Sequence, residues 1–596
     1  MAYKAPIKDQ LFVMNELGRL DQVARWPGFE DAGPETAQAV LEECARLCEE
    51  VLAPLNAVGD RNPARWDNGA VHSTPGFKEA FKQYAAGGWQ GLQHPADFGG
   101  QGLPKLIGAA CNEMVNSANL SFALCPLLTD GAIEALLTAG SDAQRQAWIP
   151  AMIDGRWTGT MNLTEPQAGS DLALVRTRAE PQGDGSYKLF GTKIYITWGE
   201  HDLAENIVHM VLARVAGAPE GVKGISLFIV PKFLPDAQGQ ATVRNDVHCV
   251  SIEHKLGIKA SPTAVLQYGD QGGAVGYLVG EENRGLEYMF IMMNAARYAV
   301  GVQGVALSER AYQQAVAYAK ERVQSRPVDG SAAASVPIIR HPDVQRMLMT
   351  MRAQTEGSRA LALAAAAAHD AAHAHVDPGQ REANRRFYDY LVPLVKGYCT
   401  EVSLDVASLG IQVHGGMGFI EETGAAQYLR DAKILSIYEG TTAIQANDLV
   451  GRKTLRDGGQ TARWLAQQVE TTEAELANSG SAHARAMHHR LTAARQAFMD
   501  VVEFVLEHGK SRPNAVYAGS VPYLMLAGAL VAGWQMARAL LVAEARLREG
   551  TDEEFMRAKI ATARFFADHV LSALPGRRDA IVQGADALAA MPLEAY

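Results

Sequence analysis

At 596 residues the chain exceeds what one hydrophobic core usually organises, so several domains are expected. An apolar share of 48% and a charged share of 20% exclude a disordered or fibrous class, and a formal charge of -11 argues against nucleic acid as a partner while leaving room for a small basic pocket. Six cysteines with no C-x-x-C pair exclude a disulfide scaffold and point to a reducing, cytoplasmic compartment, with peripheral contact at the inner membrane left open.

Residues 1–33 are read as an N-terminal extension; MAYKAPIKDQLFVMNELG has no continuous apolar core followed by a cleavage site, so it is not a signal peptide. A helical domain is expected over 34–158. Pro34 sits early in a helix whose Val40, Leu41, Cys44, Leu47 and Val51 return at three- and four-residue steps, and a second helix is expected over Pro75–Ala86. Gly99, Gly100 and Gly102 then break the period. From 159 to 282 the texture becomes β-rich, with strands expected at 188–197, 207–213, 225–230, 264–268 and 274–279 in a sandwich or barrel.

Helical signals return over 283–453, in stretches 286–323, 342–371, 381–409 and 425–436, with VDGSAAASVP at 328–337 as an exposed interruption. TLRDGGQT at 454–461 opens a C-terminal helical module, 454–596, with helices over 462–478, 483–508, 522–548 and 552–573. Its apolar run at 521–534 is shorter than the roughly 18 to 20 residues that span hydrocarbon, so a buried helix is preferred to a transmembrane span. The fold class is therefore α+β. His369, His373 and His375 lie in an alanine-rich helix without H-E-x-x-H; they are read as solvent-facing, and no metal site is expected.

Four segments carry chemistry: LTEPQAGSD at 163–171, IYITWG at 194–199, IQVHGGMGF at 411–419 and RDAKILSIYEGTTAIQ at 430–445. Together with PADFGGQG they resemble the acyl-CoA dehydrogenase family over about residues 34–453. The extended C-terminus is similar to the longer bacterial members, which act on fatty acyl-CoAs or 3-methylthiopropionyl-CoA. The resemblance implies two helical domains around a β-domain, an FAD cofactor, an acyl-CoA substrate and at least a homodimer.

It also assigns roles. Glu439 matches the catalytic carboxylate, which takes the α-proton while flavin N5 accepts hydride from the β-carbon. By residue type alone the better reading of Glu439 is the cap of the following helix. Arg297 matches the arginine that organises the base loop. Thr164, Tyr195 and Thr197 match positions around the flavin, and Ser170 one near the CoA pantetheine chain. Arg322 and Gln324 match the region reaching the cofactor pyrophosphate from a neighbouring subunit, although Ser325 and Arg326 stand where an aromatic residue and glycine are common. Gln412, Gly415, Gly416 and Gly418 match the segment closing around the FAD dinucleotide.

The expected function is α,β-dehydrogenation of a saturated acyl-CoA in fatty-acid β-oxidation, on a medium- or long-chain substrate, with electrons passed to electron-transfer flavoprotein. The alternatives are a 3-methylthiopropionyl-CoA dehydrogenase, an acyl-CoA oxidase, or a low-turnover FAD- or CoA-binding assembly protein.

Overall fold

The computed structural model describes residues 2–236 and 238–596. The first residues are packed into the molecule: Ile7–Phe12 is helical, a π-helical turn covers Val13–Leu17, and Tyr3, Gln10, Met14 and Leu20 are buried. Pro34 opens the helix Pro34–Leu47 at a position where its missing N–H leaves no acceptor unsatisfied. Its buried stripe is centred on Leu41, Cys44 and Cys48, with Val40, Leu47 and Val51 half-buried along the edge. A hairpin pairs Arg65–Asp67 with Ala70–His72 ahead of the helix Phe77–Ala86, a pairing the helical periodicity did not announce.

The glycines after it serve two purposes. Gly99 and Gly102 have positive φ, and a Cβ on Gly100 would stand 2.0 Å from the His94 carbonyl oxygen. Helices Lys105–Ala118 and Leu120–Ala139 then complete much of the domain's interior. Leu120–Ala139 and Ser520–Arg548 are long and apolar enough to cross a membrane, but 78% of each hydrophobic window is buried inside the protein.

The central sheet runs in the order 247–252, 263–268, 187–197, 274–279, 226–231, 206–215 and 157–162, with 178–181 pairing both 187–197 and 206–215. Strand 157–162 is parallel to 206–215, whereas the other neighbours in that order are antiparallel. Strands 157–162, 178–181 and 247–252 were not expected. Trp157–Asn162 is buried at every position although Thr158, Thr160 and Asn162 are polar, so neither alternation nor an apolar run marks it.

Three long helices, Gly285–Glu321, Pro342–Ala374 and Pro378–His414, form the core behind the sheet. Two of them approach closely because Gly301 and Gly304 carry no side chain: a Cβ there would stand 2.6 Å from Val395 O and 2.4 Å from Cys399 O. The C-terminal helices Gln460–Asn478, Ala482–His508, Ser520–Arg548 and Glu553–His569 dock on this core. Small residues again set the contact, Gly397 against Leu524, Gly528 against Tyr398 and Gly357 against Phe566. The N-terminal segment closes the arrangement through Glu16–Arg546 and Asp9–Lys559, each at 2.7 Å.

Candidate active site

The segment 434–441 links the helices Ala425–Lys433 and Thr442–Asp448. Glu439 at φ 54° and Gly440 at φ 88° place two consecutive residues in left-handed backbone. For glutamate this costs on the order of 1–2 kcal/mol, so the surroundings must impose it. They do so from three sides. Tyr438 Oη donates to Gln303 Oε1 on helix Gly285–Glu321; Lys396 Nζ on helix Pro378–His414 donates to Leu435 O at 2.7 Å; Gln445 Nε2 donates to Gly440 O at 3.2 Å. The following helix is capped by Thr441, whose hydroxyl accepts from Ile444 N at 3.3 Å. Glu439 is therefore not the cap.

Glu439 is half-buried and forms no ion pair among the described residues. Burial raises its pKa above the ordinary carboxylate value, against the opposing pull of Lys396 and Arg297. Arg297 is buried on helix Gly285–Glu321 and its Nε has no hydrogen-bond partner. Burial lowers its pKa too, while Asp448 and Glu439 pull it back up.

At the β-domain, Ile194 N donates to Thr164 O at 3.0 Å, which fastens the 163–171 loop to the strand bearing Tyr195 and Thr197. Thr164, Tyr195 and Thr197 thus share one end of the sheet. Tyr195 has φ 60° and is 61% exposed. Trp198 turns inward, fully buried, with Nε1 donating to Ser121 O at 3.1 Å. The loop itself is held by Glu165, which accepts from Thr177 N, Thr177 Oγ1, Arg176 N and Lys193 Nζ, the last at 2.8 Å. Although burial opposes it, Lys193 and these donors hold the Glu165 carboxyl down at about 2; burial lowers Lys193 to about 8. Ser170 is exposed on the same loop.

The third group lies at the surface of this chain except for Gly418, which is buried. Gly415, at φ 60°, ends helix Pro378–His414, and nothing stands within 4 Å of a Cβ built on Gly415 or Gly416, whereas one on Gly418 would meet Ile411 O at 2.3 Å. Gln412, Arg322 and Gln324 are exposed, with Arg322 Nη2 donating to Gln324 Oε1 at 3.4 Å. His414 is packed, stacked on Tyr318 at 4.4 Å, with burial lowering its pKa.

Sequence reading missed the residues that grip the site from a distance: Lys396, Gln303, and the Glu165–Lys193 pair. Lys396 had one usable signal, a lone lysine inside the apolar run YLVPLVKGY at 390–398. The histidines need correction as well. His369 is half-buried, with its ring 4.1 Å from His373 and 5.0 Å from Tyr388, because this side of the alanine-rich helix faces Pro378–His414; only His373 is exposed. No metal-binding cluster occurs among the described residues.

Comparison with known proteins covers nearly the whole chain. Residues 34–156 match the acyl-CoA dehydrogenase N-terminal domain, 160–270 the middle domain, 283–453 the C-terminal domain, and 464–592 an acetyl-CoA dehydrogenase C-terminal-like domain. A 3-methylmercaptopropionyl-CoA dehydrogenase of Ruegeria pomeroyi is 56% identical over 99% of both chains. A broad-specificity linear acyl-CoA dehydrogenase of Mycobacterium tuberculosis is 36% identical over 97% of both. Among solved structures, Caenorhabditis elegans ACDH-11 superposes with a TM-score of 0.78 at 19% identity, covering 96% of this chain and 92% of that one, and so shares the fold.

Proposed function

The chain belongs to the acyl-CoA dehydrogenase family, and from that premise we propose that it oxidises 3-methylthiopropionyl-CoA to its α,β-unsaturated thioester, passing electrons to electron-transfer flavoprotein. The enzyme class is FAD-dependent acyl-CoA dehydrogenation. The choice of substrate is carried by one observation, the 56% identity to the Ruegeria enzyme along essentially the full length of both chains, extension included. Sequence reading preferred a medium or long straight chain; that identity favours the methylthio alternative. The Mycobacterium relative at 36% keeps a linear acyl-CoA as the second reading.

The residues fit the cofactor. An aromatic ring that is 61% exposed, beside the hydroxyls of Thr164 and Thr197, suits the face and edge of a planar heterocycle. Gly415 and Gly416, open to solvent, suit close backbone approach of a phosphate-bearing tail, for which Arg322 supplies a cation. In this reading Arg322, Gln324, Gln412, Gly415 and Gly416, all exposed on one chain, complete the site of a second subunit, while buried Gly418 lets the turn that carries them close against Ile411 O. Bound FAD supplies the acceptor for two electrons and the β-hydrogen.

The remaining chemistry belongs to side chains. Ser170 binds the pantetheine arm, and Glu439 removes the proton from the carbon next to the thioester carbonyl. Its raised pKa matches a base that must hold a proton after taking one from carbon, and its left-handed backbone, enforced by Gln303, Lys396 and Gln445, fixes where the carboxylate points. Arg297 supplies positive charge without a direct ion pair that would neutralise the base.

An anaerobic panel of 3-methylthiopropionyl-, butyryl-, octanoyl- and palmitoyl-CoA, followed by flavin bleaching and product mass, tests the assignment. The methylthio substrate is expected to give the highest kcat/KM. A clear preference for octanoyl- or palmitoyl-CoA would replace it with the linear reading, and peroxide formation in air at the rate of flavin reduction would make the enzyme an oxidase.

A further inference from the structure

Helix Pro378–His414 reaches both stems of the loop that carries Glu439. On the entering side Lys396 Nζ donates to Leu435 O at 2.7 Å; on the leaving side Glu401 Oε1 accepts from Thr442 Oγ1 at 2.5 Å. Lys396 is completely buried, has no ion-pair partner within 4.0 Å among the described residues, and its one hydrogen bond there goes to a backbone carbonyl. A buried ammonium without a counter-ion is costly, and lysine found so deep is normally paired. Methionine would fill similar space without that cost. Leu524 of the C-terminal module packs beside Gly397, the next residue, so that module braces the same turn of the helix.

We propose that Lys396 is a positioning residue for proton abstraction: its ammonium holds the Glu439 loop by its stem and, with Arg297, supplies the positive field that keeps the half-buried carboxylate available as a base. The inference rests on Glu439 being that base. The charged groups facing one another are Lys396 and Glu401 on one helix, Arg297 on the second and Glu439 on the loop, with Asp448 and Arg452 facing Arg297. Burial lowers Lys396 to about 7, against the pull of Glu439 and Glu401. Its charge is thus set by the same desolvation that raises Glu439, and removing it leaves burial less opposed, so the Glu439 pKa must rise.

The test uses the FAD-loaded enzyme and three variants: Lys396→Met, Lys396→Gln, which keeps a donor without the charge, and Lys396→Arg, which keeps the charge. Two quantities are followed against pH: the rate of flavin reduction by substrate, and equilibrium α-proton abstraction from a 3-thia-acyl-CoA, whose β-position is sulfur and cannot be oxidised. Loss of charge in the Met and Gln variants is expected to move the acid limb of both profiles up by about one pH unit, with Arg returning it close to wild type. Unchanged limbs in the Gln variant, or an Arg variant displaced as far as Gln, overturn the inference. Should Met fail to fold or retain FAD, the Gln and Arg pair decides alone. A Glu439→Gln enzyme that abstracts the proton like wild type would instead overturn the assignment of the base, and this inference with it.

Discussion

Two groups of charges are buried in the helical core, and they are built on opposite plans. Around Arg359, each charge has a partner: the guanidinium meets Glu113 and Glu309 at 2.6 Å and Asp9 at 2.7 Å, while Lys559 meets Asp9 at 2.7 Å and Glu356 at 2.8 Å. Around Glu439, neither Lys396 nor Arg297 forms an ion pair among the described residues. The pKa displacements follow. Burial opposes ionisation in both places, but Lys559 and Arg359 still hold Asp9 well below the usual carboxylate range, and Asp9 and Glu356 raise Lys559. Glu113 is the exception, since burial there outweighs Arg359. At the other cluster burial wins throughout, raising Glu439 and lowering Lys396 and Arg297. Close pairing spends charge on holding segments together; separated charges remain available for proton chemistry.

The largest expected effect breaks the second cluster at its centre. Glu439→Gln keeps shape and FAD binding but removes the base, and single-turnover flavin reduction should fall by about 10²- to 10⁴-fold. Fast reduction in that variant would show that the two clusters do not differ in purpose. In the first cluster, Arg359→Met strands Glu113 and Glu309 and leaves Asp9 to Lys559 alone, and should cost about 3–5 kcal/mol of stability by denaturant unfolding, with kcat of the folded enzyme nearly retained. Equal losses of stability from Arg297→Met and Arg359→Met would erase the contrast.

Acid sharpens it. With its pKa above 4.5, Glu439 is protonated first as pH falls, so flavin reduction should lose rate through that raised value. Asp9, depressed below 3.8 when folded, contributes stability that is complete above its unfolded value and is lost only as pH drops through its folded one. The Tm gap between Asp9→Asn and wild type should therefore stay constant across the acid limb of activity. The smallest effect concerns the cap: Thr441→Ala should cost about 1 kcal/mol and lower kcat modestly by loosening the start of the helix that follows the base.

Much of this was legible in the order of residues. Apolar recurrence marked the long helices, alternation or short apolar runs marked five strands, and the motifs holding Thr164, Tyr195 and Thr197 lie at one end of the sheet. These signals are local, arising within a turn of helix or a few residues of strand. The wholly buried strand Trp157–Asn162 lacks such a signal, and a surface glycine segment such as 415–418 looks the same whether it ends a helix or receives a ligand.

What the chain alone determined is therefore most of its elements and the family whose motif makes Glu439 the proposed reactive carboxylate. Only the tertiary structure decided which charges are paired: Arg359 finds Glu113 across 246 positions and Lys559 finds Asp9 across 550, while Lys396 finds a carbonyl and no counter-ion. No spacing rule reaches that far. The desolvation that shifts a pKa depends on what the rest of the molecule brings around a side chain, and here the C-terminal helices pack at Gly397, beside the lysine that faces the proposed base.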